Sequence, residues 1–425
     1  MREVCEFIWE EEARLGLVDD QPIGFPLWPA LRSTLGHRLT ERLGRGQAPH
    51  LSVPPSQGLV ARIADQANNW IARNPFFFEG ECRYMIVEHP RTVGRGAARV
   101  DLHSRDLEDE WDRTGTSWLG LSDPSPGGGD KQREARRRST SFIYECARVE
   151  ARLRRWQLPY AYAAKMRSLD QRARSTFGVE WGAERFARQR FRALCGRKAS
   201  YVRLLQKLLP ERVFILVAYG SHVAVTAAAQ QIGIPVTEVQ HGAFSRYHLG
   251  YSYAKRSSPV PGFPDEFLAW SEPWADTFAR IHPVARVRVR EPAWLIERRR
   301  GYQDRPKEKV ALVLSQGLLG DAMAREFTRV SARFAGYRIL YKLHPGEYGR
   351  AGGYPHLQQL VRGNVVEVLG DCDLELEMAR AEVVVGVYST SIYEALELGC
   401  RAYLLDLPGV ETMQDLLDSG KAEMV

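Results

Sequence analysis

The chain has 425 residues, 44% of them hydrophobic, which is too long for one ordinary core and predicts two or three domains. Its 59 basic and 52 acidic side chains give a net charge of +7, which favours an anionic partner such as nucleotide phosphates, nucleic acid or an acidic membrane surface without choosing among them. The six cysteines include no C-x-x-C pair, and this spacing excludes the usual zinc sites and disulfide frameworks.

The amino-terminal segment MREVCEFIWEEEARLG lacks the pattern of a secretory signal. The longest apolar runs, such as VFILVAYG, are far shorter than a membrane span. Scattered cysteines are typical of a reducing cytosol. We therefore expect a cytoplasmic protein, and peripheral contact with the inner face of the membrane is kept as an alternative.

Residues 1–80 are predicted to form a helical amino-terminal extension. Apolar side chains recur at helical spacing in two stretches of it: Leu27, Leu31, Leu35 and Leu39, and then Leu59, Ile63 and Trp70. A layer packed on the next domain is the simpler interpretation, and a face that rests on lipid is the alternative.

Residues 81–295 are predicted to form a first Rossmann-like domain. Its strand candidates are CRYMIVEHP, TSWLGLS, VFILVAYG, PVTEVQHG and DEFLAWS. Between the second and third of these, SDPSPGGGDKQREARRRS is predicted to be a mobile basic loop, followed by two long arginine-rich helices at about 136–170 and 183–208. The alternation of strand and helix beyond residue 210 implies a parallel sheet.

The charged segment EPAWLIERRRGYQDRPKEK, residues 291–309, is predicted to be a linker. The strand–helix rhythm then restarts, and residues 305–425 are predicted to form a second Rossmann-like domain with strands VALVLSQ, YRILYKLHP, VVEVLG, EVVVGVYS and RAYLLDL. The fold class is therefore α/β, with two doubly wound domains and a helical extension. Because SGKAEMV leaves little room for a closing helix, a truncated chain is kept as an alternative.

Ligands of doubly wound sheets bind beyond the carboxyl ends of the strands, and the first candidate there is His344. Because a residue before proline is restricted to extended geometry, His344 prolongs its strand to the edge of the sheet before Pro345 and Gly346 turn the chain. An imidazole at this edge can donate to a phosphate, and Lys342 adds charge on the same strand face. An ordinary histidine between strand and loop is the alternative.

A second candidate is the run Ser389, Thr390 and Ser391, which opens a helix directly after another strand. Hydroxyls and unpaired backbone N–H groups at a helix start make an anion site, and ordinary N-capping is the alternative. Glu394, one turn later, is placed either to accept hydrogen bonds from ribose hydroxyls or to compensate the helix dipole.

Two further strand ends carry candidates. His241, followed by Gly242, ends a strand of the first domain, and a neutral histidine there can take a proton from an attacking hydroxyl. If the two domains face each other, His241 and His344 lie on one cleft. Gln316 and Gly317 end the first strand of the second domain, where a glycine turn can approach a nucleotide phosphate.

Other motifs are set aside. Asp371 and Asp373 have the D-x-D spacing that holds a metal–nucleotide in another transferase fold, but they precede a helix, so capping is favoured and no metal is predicted. The basic runs REARRRS and ERRRG are interpreted as solvated faces. No aromatic–basic platform accompanies them, so no nucleic-acid partner is expected.

The segments VTEVQHGAF, YKLHPGEY and VVVGVYSTSIYEALELGCRAYLLDL, in this order, resemble bacterial glycosyltransferases of the GT-B fold. The nearest groups are capsule and surface-polysaccharide enzymes, the CMP-sugar-using sialyl- and Kdo-transferases, and the CDP-glycerol glycerophosphotransferases. The resemblance covers about residues 210–410. It implies that residues 81–295 receive the acceptor and that residues 305–425 bind the nucleotide-sugar donor.

The resemblance also implies roles for single residues. His344 and the residues Ser389–Ser391 would hold the donor phosphate, and Glu394 would bind the ribose. His241 resembles the histidine proposed as base in the glycerophosphotransferases. In sialyltransferase-like relatives the base is an acid in a D/E-D/E-G motif that this sequence lacks, which leaves Glu88 of VEHP as the other candidate.

The implied reaction is transfer of a sugar or glycerol phosphate from a CMP- or CDP-linked donor to a surface glycan or lipid-linked glycan, without a metal or other cofactor. Retaining members carry a glutamate at the position of Gly386, so inversion is expected. A nucleotide-sugar epimerase or hydrolase on the same architecture is one alternative. A non-catalytic basic protein that binds nucleic acid or membrane is another, although two histidines at separate strand ends favour an enzyme.

Overall fold

The computed structural model describes residues 2–44, 68–88, 103–122, 135–254, 256, 258–282, 286–302, 305–317 and 319–425. The basic loop predicted after Ser122 falls mostly outside these residues. So do Leu59 and Ile63 of the second amphipathic stretch.

Thirteen strands of the described residues form two wholly parallel sheets. The strands are β1 Tyr84–Val87, β2 Trp118–Ser122, β3 Arg137–Ser139, β4 Arg212–Ile215, β5 Val236–Val239, β6 Glu266–Ala269, β7 Arg286–Val289, β8 Glu308–Leu314, β9 Arg338–Lys342, β10 Glu367–Leu369, β11 Ala381–Gly386, β12 Arg401–Leu404 and β13 Ala422–Met424. The strand orders are β3-β2-β1-β4-β5-β6-β7 and β10-β9-β8-β11-β12-β13.

In each sheet the first strand in the chain lies inside the sheet, and later strands are added on both sides of it. The direction reverses between β1 and β4 in the first sheet and between β8 and β11 in the second. A crevice opens beyond the carboxyl ends of the strands at such a reversal. The predicted fold class, α/β with two Rossmann-like doubly wound sheets, is confirmed.

The helices cover these sheets and fill the connections. They are α1 Arg2–Leu15, α2 Leu27–Arg42, α3 Arg105–Arg113, α4 Ser141–Leu153, α5 Tyr160–Phe177, α6 Ala183–Leu208, α7 Val223–Gln231, α8 Glu272–Ile281, α9 Ala293–Tyr302, α10 Asp321–Val330, α11 Pro355–Arg362, α12 Leu374–Arg380, α13 Thr390–Glu397 and α14 Gln414–Asp418.

Helices α1 and α2 belong to the hydrophobic core of the first sheet. All four leucines predicted from helical spacing are fully buried there: Leu27, Leu31, Leu35 and Leu39. Side chains that lie in a core are not available to lipid, so this part of the extension is a packed layer. In the described part of the chain, no helix is long and apolar enough to cross a bilayer.

Two predictions about the connections need correction. The single helix expected at about 136–170 is wrong, because its start pairs with β2 as the short strand β3 and Pro159 separates α4 from α5. The second arginine-rich helix is α6, as predicted. The linker expected at 291–309 contains helix α9, whose Ala293 N–H donates to Asp106 and whose Tyr302 hydroxyl donates to Asp373 at 3.0 Å.

Candidate functional site

Three neighbouring strand ends meet at the carboxyl edge of the second sheet. Strand β8 lies between β9 and β11. After β8, the Gln316 side-chain amide donates to the Tyr388 carbonyl oxygen at 3.0 Å, which ties this loop to the end of β11. A Cβ placed on the next residue, Gly317, would lie 2.9 Å from Nδ1 of His344 at the end of β9. The predicted phosphate-binding segments therefore border one another through the β8 loop.

The geometry of His344 agrees with the expectation drawn from Pro345. Its backbone is extended, with φ −66° and ψ 143°. Its Nδ1 accepts a hydrogen bond from the Gly346 N–H at 3.1 Å, and its own N–H donates to Glu347 Oε2 at 2.8 Å. Because Nδ1 acts as an acceptor, the neutral ring carries its proton on Nε2, so this exposed imidazole is an N–H donor at the sheet edge.

Lys342 is the weakest member of the predicted phosphate set. Its ammonium group is buried and donates to the Leu343 carbonyl at 2.7 Å and to the Tyr348 hydroxyl at 3.0 Å. These bonds hold the charge within its own loop. A direct contact between Lys342 and a donor phosphate remains a prediction.

The start of helix α13 combines a cap with accessible hydroxyls. Ser389 is the N-cap residue, and its Oγ accepts from the Ser391 N–H at 3.2 Å. Thr390 is exposed, whereas Ser389, Ser391 and Glu394 are half-buried. The structure thus contains the N-cap that the alternative interpretation predicted. Binding of a nucleotide by these hydroxyls and by Glu394 stays a prediction.

In the first sheet, a glutamine fixes the turn that carries His241. The Gln240 side chain accepts from the Trp270 N–H at 2.8 Å and donates to the Gly242 carbonyl at 3.1 Å. The Gln240 carbonyl also accepts from the Trp270 indole N–H at 2.9 Å. These bonds tie the turn to the end of β6. The ring of His103 lies 6.4 Å from the ring of His241.

The loop that continues from this turn is clamped by the amino-terminal helices. Arg32 of α2 is fully buried and donates to the carbonyl oxygens of Leu249 and Ser252. Its charge is paired with the buried Glu12 of α1. A buried guanidinium with these partners holds the loop in one position, since breaking such a pair leaves an uncompensated charge in the core.

A cavity of about 230 Å³ lies between the two sheets and joins the candidate segments. On one side it is lined by the loop that follows His241 and by α2; on the other it is lined by the end of β11, the start of α13 and the segment before α14. Its polar and aromatic lining residues include His37, Tyr247, His248, Tyr388, Thr390 and Tyr393. Of the predicted phosphate-binding residues, Thr390 lines this cavity, and it faces the loop that begins two residues after His241.

The two cavity histidines have opposite hydrogen-bonding characters. Burial, and next the neighbouring His37, lower the pKa of His248 to about 4, so His248 is neutral near pH 7. Its Nδ1 accepts from the Gly250 N–H at 3.1 Å, which places its proton on Nε2. His37 Nδ1 lies 2.7 Å from the Ser33 carbonyl and donates its proton there, so in the neutral ring Nε2 is an acceptor. The cavity thus offers one donor and one acceptor to a polar ligand.

Of the two predicted bases, Glu88 is held in a cluster of ion pairs. Glu88 follows β1, and its Oε1 accepts from Nε of Arg137 at 2.8 Å. The same guanidinium also donates to the buried Glu108 at 2.8 Å. A carboxylate held by a guanidinium is a weaker proton acceptor, so Glu88 fits an ion-pair cluster better than proton abstraction.

The D-x-D motif acts as a helix cap. Asp373 Oδ1 accepts from the Leu376 N–H at 3.0 Å at the start of α12, as the capping interpretation predicts. Among the residues that the structure describes, no group of three or more histidine, cysteine, aspartate or glutamate side chains is arranged to hold a metal ion.

The residues around His241 were missed by sequence reasoning. Glu238 of β5 is fully buried, and its Oε1 accepts from the Tyr251 hydroxyl at 2.6 Å and from the Ala218 N–H at 3.1 Å. Burial raises the pKa of this carboxyl to about 8. The only signal in the sequence was a lone glutamate inside the otherwise buried strand candidate PVTEVQHG.

No family model matches the chain, and a comparison with curated proteins finds no match. Among solved structures, MurG from Acinetobacter baumannii is 13% identical with a TM-score of 0.46, over 81% of this chain and 85% of that chain. UDP-GlcNAc 2-epimerase from Methanocaldococcus jannaschii is 11% identical with a TM-score of 0.43, over 81% and 89%. The outer core galactosyltransferase WaaB is 11% identical with a TM-score of 0.42, over 80% and 91%.

Proposed function

We propose that the protein is a glycosyltransferase that moves a sugar, or glycerol phosphate, from a nucleotide-activated donor to a glycan acceptor. One observation carries this proposal. A cavity between two Rossmann-like sheets is faced by the loop after His241 on one side and by Thr390 at the start of α13 on the other. A donor phosphate and an acceptor hydroxyl can each be held by one sheet, with the reacting atoms between them.

The second sheet holds the donor in this proposal. His344 donates from Nε2, and the N-terminus of α13 adds backbone N–H groups and the hydroxyls of Ser389, Thr390 and Ser391. These groups stabilise the negative charge that develops on the leaving nucleotide and would do so without a metal. Glu394 binds the ribose, by resemblance, with Gln316 and Gly317 beside the phosphates.

The first sheet receives the acceptor. His241 takes the proton of the attacking hydroxyl, whose oxygen forms the new bond as the bond to the nucleotide breaks and its electron pair leaves on the phosphate. Attack from the face opposite the leaving nucleotide inverts the sugar. We further propose a CMP- or CDP-linked donor and a surface glycan or lipid-linked acceptor, because the motifs resemble enzymes of that group. The reaction would take place in the cytoplasm or at the inner membrane face.

The decisive experiment replaces His344 with asparagine and with alanine. Asparagine keeps an acceptor near the position of Nδ1 for the Gly346 N–H but lacks the Nε2 donor, whereas alanine removes both. We expect His344→Asn to retain the melting temperature and to lose at least about tenfold in donor affinity, a loss of one charge-assisted hydrogen bond. Calorimetry with CMP, CDP, UDP and GDP measures the affinity, and transfer is assayed with the nucleotide that binds.

A matched control and two opposing outcomes complete this test. Ser331→Ala changes a polar residue that follows α10, at the far end of that helix from the β8 loop, and should leave nucleotide binding unchanged. Full affinity and transfer in His344→Asn would refute the donor assignment. Turnover of the donor with no acceptor present would instead identify an epimerase or hydrolase.

A further inference from the structure

A chain of hydrogen-bonding groups leads from the turn of His241 into the core of the first sheet. The Tyr251 hydroxyl lies 2.6 Å from Oε1 of Glu238 and 3.5 Å from Nδ1 of His241. Glu238 is fully buried, and its second carboxyl oxygen is buried without a hydrogen-bond partner among the described residues. Such a carboxyl is costly to bury, which argues for a role beyond packing.

The protons in this chain can be assigned. A tyrosine hydroxyl has one proton, and the shorter contact shows that Tyr251 donates it to Glu238. The hydroxyl oxygen is then the acceptor for Nδ1–H of His241. The neutral imidazole of His241 therefore carries its lone pair on Nε2, which is the form that a base requires.

The Tyr251 ring is fixed by its surroundings. It packs against Phe244 at 5.5 Å, Phe278 at 5.6 Å and Tyr219 at 5.4 Å between ring centroids. Only 2% of the residue is exposed. Because this hydroxyl is held in one position, it favours one orientation of the His241 imidazole that it contacts.

We propose that Tyr251 and Glu238 are positioning residues that hold His241 in the base-competent tautomer and stabilise its charged form. This inference rests on the proposed function. The acceptor hydroxyl gives its proton to Nε2 of His241, and the resulting imidazolium donates from Nδ1 to the Tyr251 oxygen while Tyr251 donates to the Glu238 carboxylate. The 3.5 Å contact shortens when the ring becomes charged, because hydrogen bonds to ions are shorter.

The relay makes catalysis depend on the ionisation of Glu238. Burial raises the pKa of Glu238 to about 8, while Tyr251 and the Ala218 N–H act in the opposite direction. The other ionisable groups around the relay are Tyr219 and His248, which pack on the Tyr251 ring, and His103 beside His241. These groups are tyrosine and histidine side chains, so the carboxyl is the member that acquires a negative charge near pH 8.

Two variants separate positioning from charge. Tyr251→Phe keeps the ring and removes the hydroxyl, and we expect kcat to fall about 10- to 100-fold with KM within about twofold. Glu238→Gln keeps an acceptor for Tyr251 but cannot ionise, so it should keep the tautomer and lose the rise of kcat near pH 8. Nitrogen NMR shifts of labelled histidine, assigned with His241→Gln, report the tautomer without substrate.

The control is Tyr162→Phe. Tyr162 is 1% exposed, and its hydroxyl makes no hydrogen bond within the described residues. It should change neither kcat nor the spectrum of His241. A His241 tautomer that is the same in Tyr251→Phe and in the unmodified protein overturns the relay. Absence of donor binding and transfer in the unmodified protein overturns the proposed function instead, so the two failures are distinguishable.

Discussion

A buried carboxyl makes stability depend on pH, and Glu238 shows the sign of the effect. Its pKa is raised from 4.5 to about 8 by burial, so between these values the folded protein keeps a proton that the unfolded chain has lost. The free energy of unfolding therefore falls as the pH rises through this window. We expect Glu238→Gln to gain stability relative to the unmodified protein by up to about 1.4 kcal/mol per pH unit.

His248 acts in the opposite direction, so the comparison between variants is essential. Burial lowers its pKa from 6.5 to about 4, and the unfolded chain takes up a proton over this range before the folded protein does. Its contribution to stability is lost as the pH falls from 6.5 toward 4. Urea unfolding at pH 5, 6.5 and 8 isolates Glu238 as the difference between Glu238→Gln and the exposed control Glu423→Gln. Equal pH slopes in the two variants would contradict the burial effect.

At the scale of elements, the loop after β8 sets the position of His344. Gly317 has no side chain at a point where a Cβ would lie 2.9 Å from Nδ1 of His344, and its carbonyl accepts from Arg350 at 2.6 Å. We expect Gly317→Ala to displace the imidazole and to weaken nucleotide binding about tenfold, the cost of one misplaced charge-assisted contact. Calorimetry measures the affinity, and thermal unfolding measures stability.

The matched control is Gly349→Ala in the loop after β9. No atom lies within 4 Å of a Cβ placed there, so this substitution should leave both binding and stability unchanged. Tight binding by Gly317→Ala would show that the imidazole can yield without loss. The close approach between the β8 loop and His344 would then have no part in holding the donor.

The elements that carry the second half of the site follow from local chemistry. Pro345 restricts His344 to extended backbone, and Ser389 is the N-cap of α13. Both strand ends could therefore be predicted from residues next to them in the sequence. Edge strands are harder to predict from the sequence because they are short and bury few apolar side chains. Strands β3, β7 and β13 lack the long apolar run of a central strand, and none was predicted.

The relay behind His241 shows why the rest of the site needs a structure. Glu238 and His241 are close in sequence, but Tyr251 returns to them only after the turn, and His103 comes from another part of the fold. Contacts between distant segments leave no periodic trace in a single sequence. Gln240 is similar, since its role in holding the turn depends on Trp270 at the end of another strand.

At the scale of the whole molecule, the residues that the structure describes form two large hydrophobic cores and a smaller third cluster on the first sheet. One contains the first sheet with α1 and α2, and the other contains the second sheet. Tyr393 of α13 packs on both, and its ring lies 4.5 Å from the ring of Trp274 in α8. The two cores are thus separate in most of their residues and joined at the edge of the cavity, which predicts two cooperative units with a coupling contact.

Nucleotide binding should therefore stabilise one unit before the other. If the donor binds at the ends of β8, β9 and β11, it stabilises the second unit alone. A nucleotide at 100 times its Kd then raises the free energy of unfolding of that unit by about 2.7 kcal/mol. Differential scanning calorimetry should show that unit melting at a higher temperature, and Trp274→Ala should separate the two transitions further because it removes the shared ring contact. A nucleotide that raised only the melting temperature of the first unit would show that the donor binds to the first sheet. The donor and acceptor roles of the two sheets would then be exchanged.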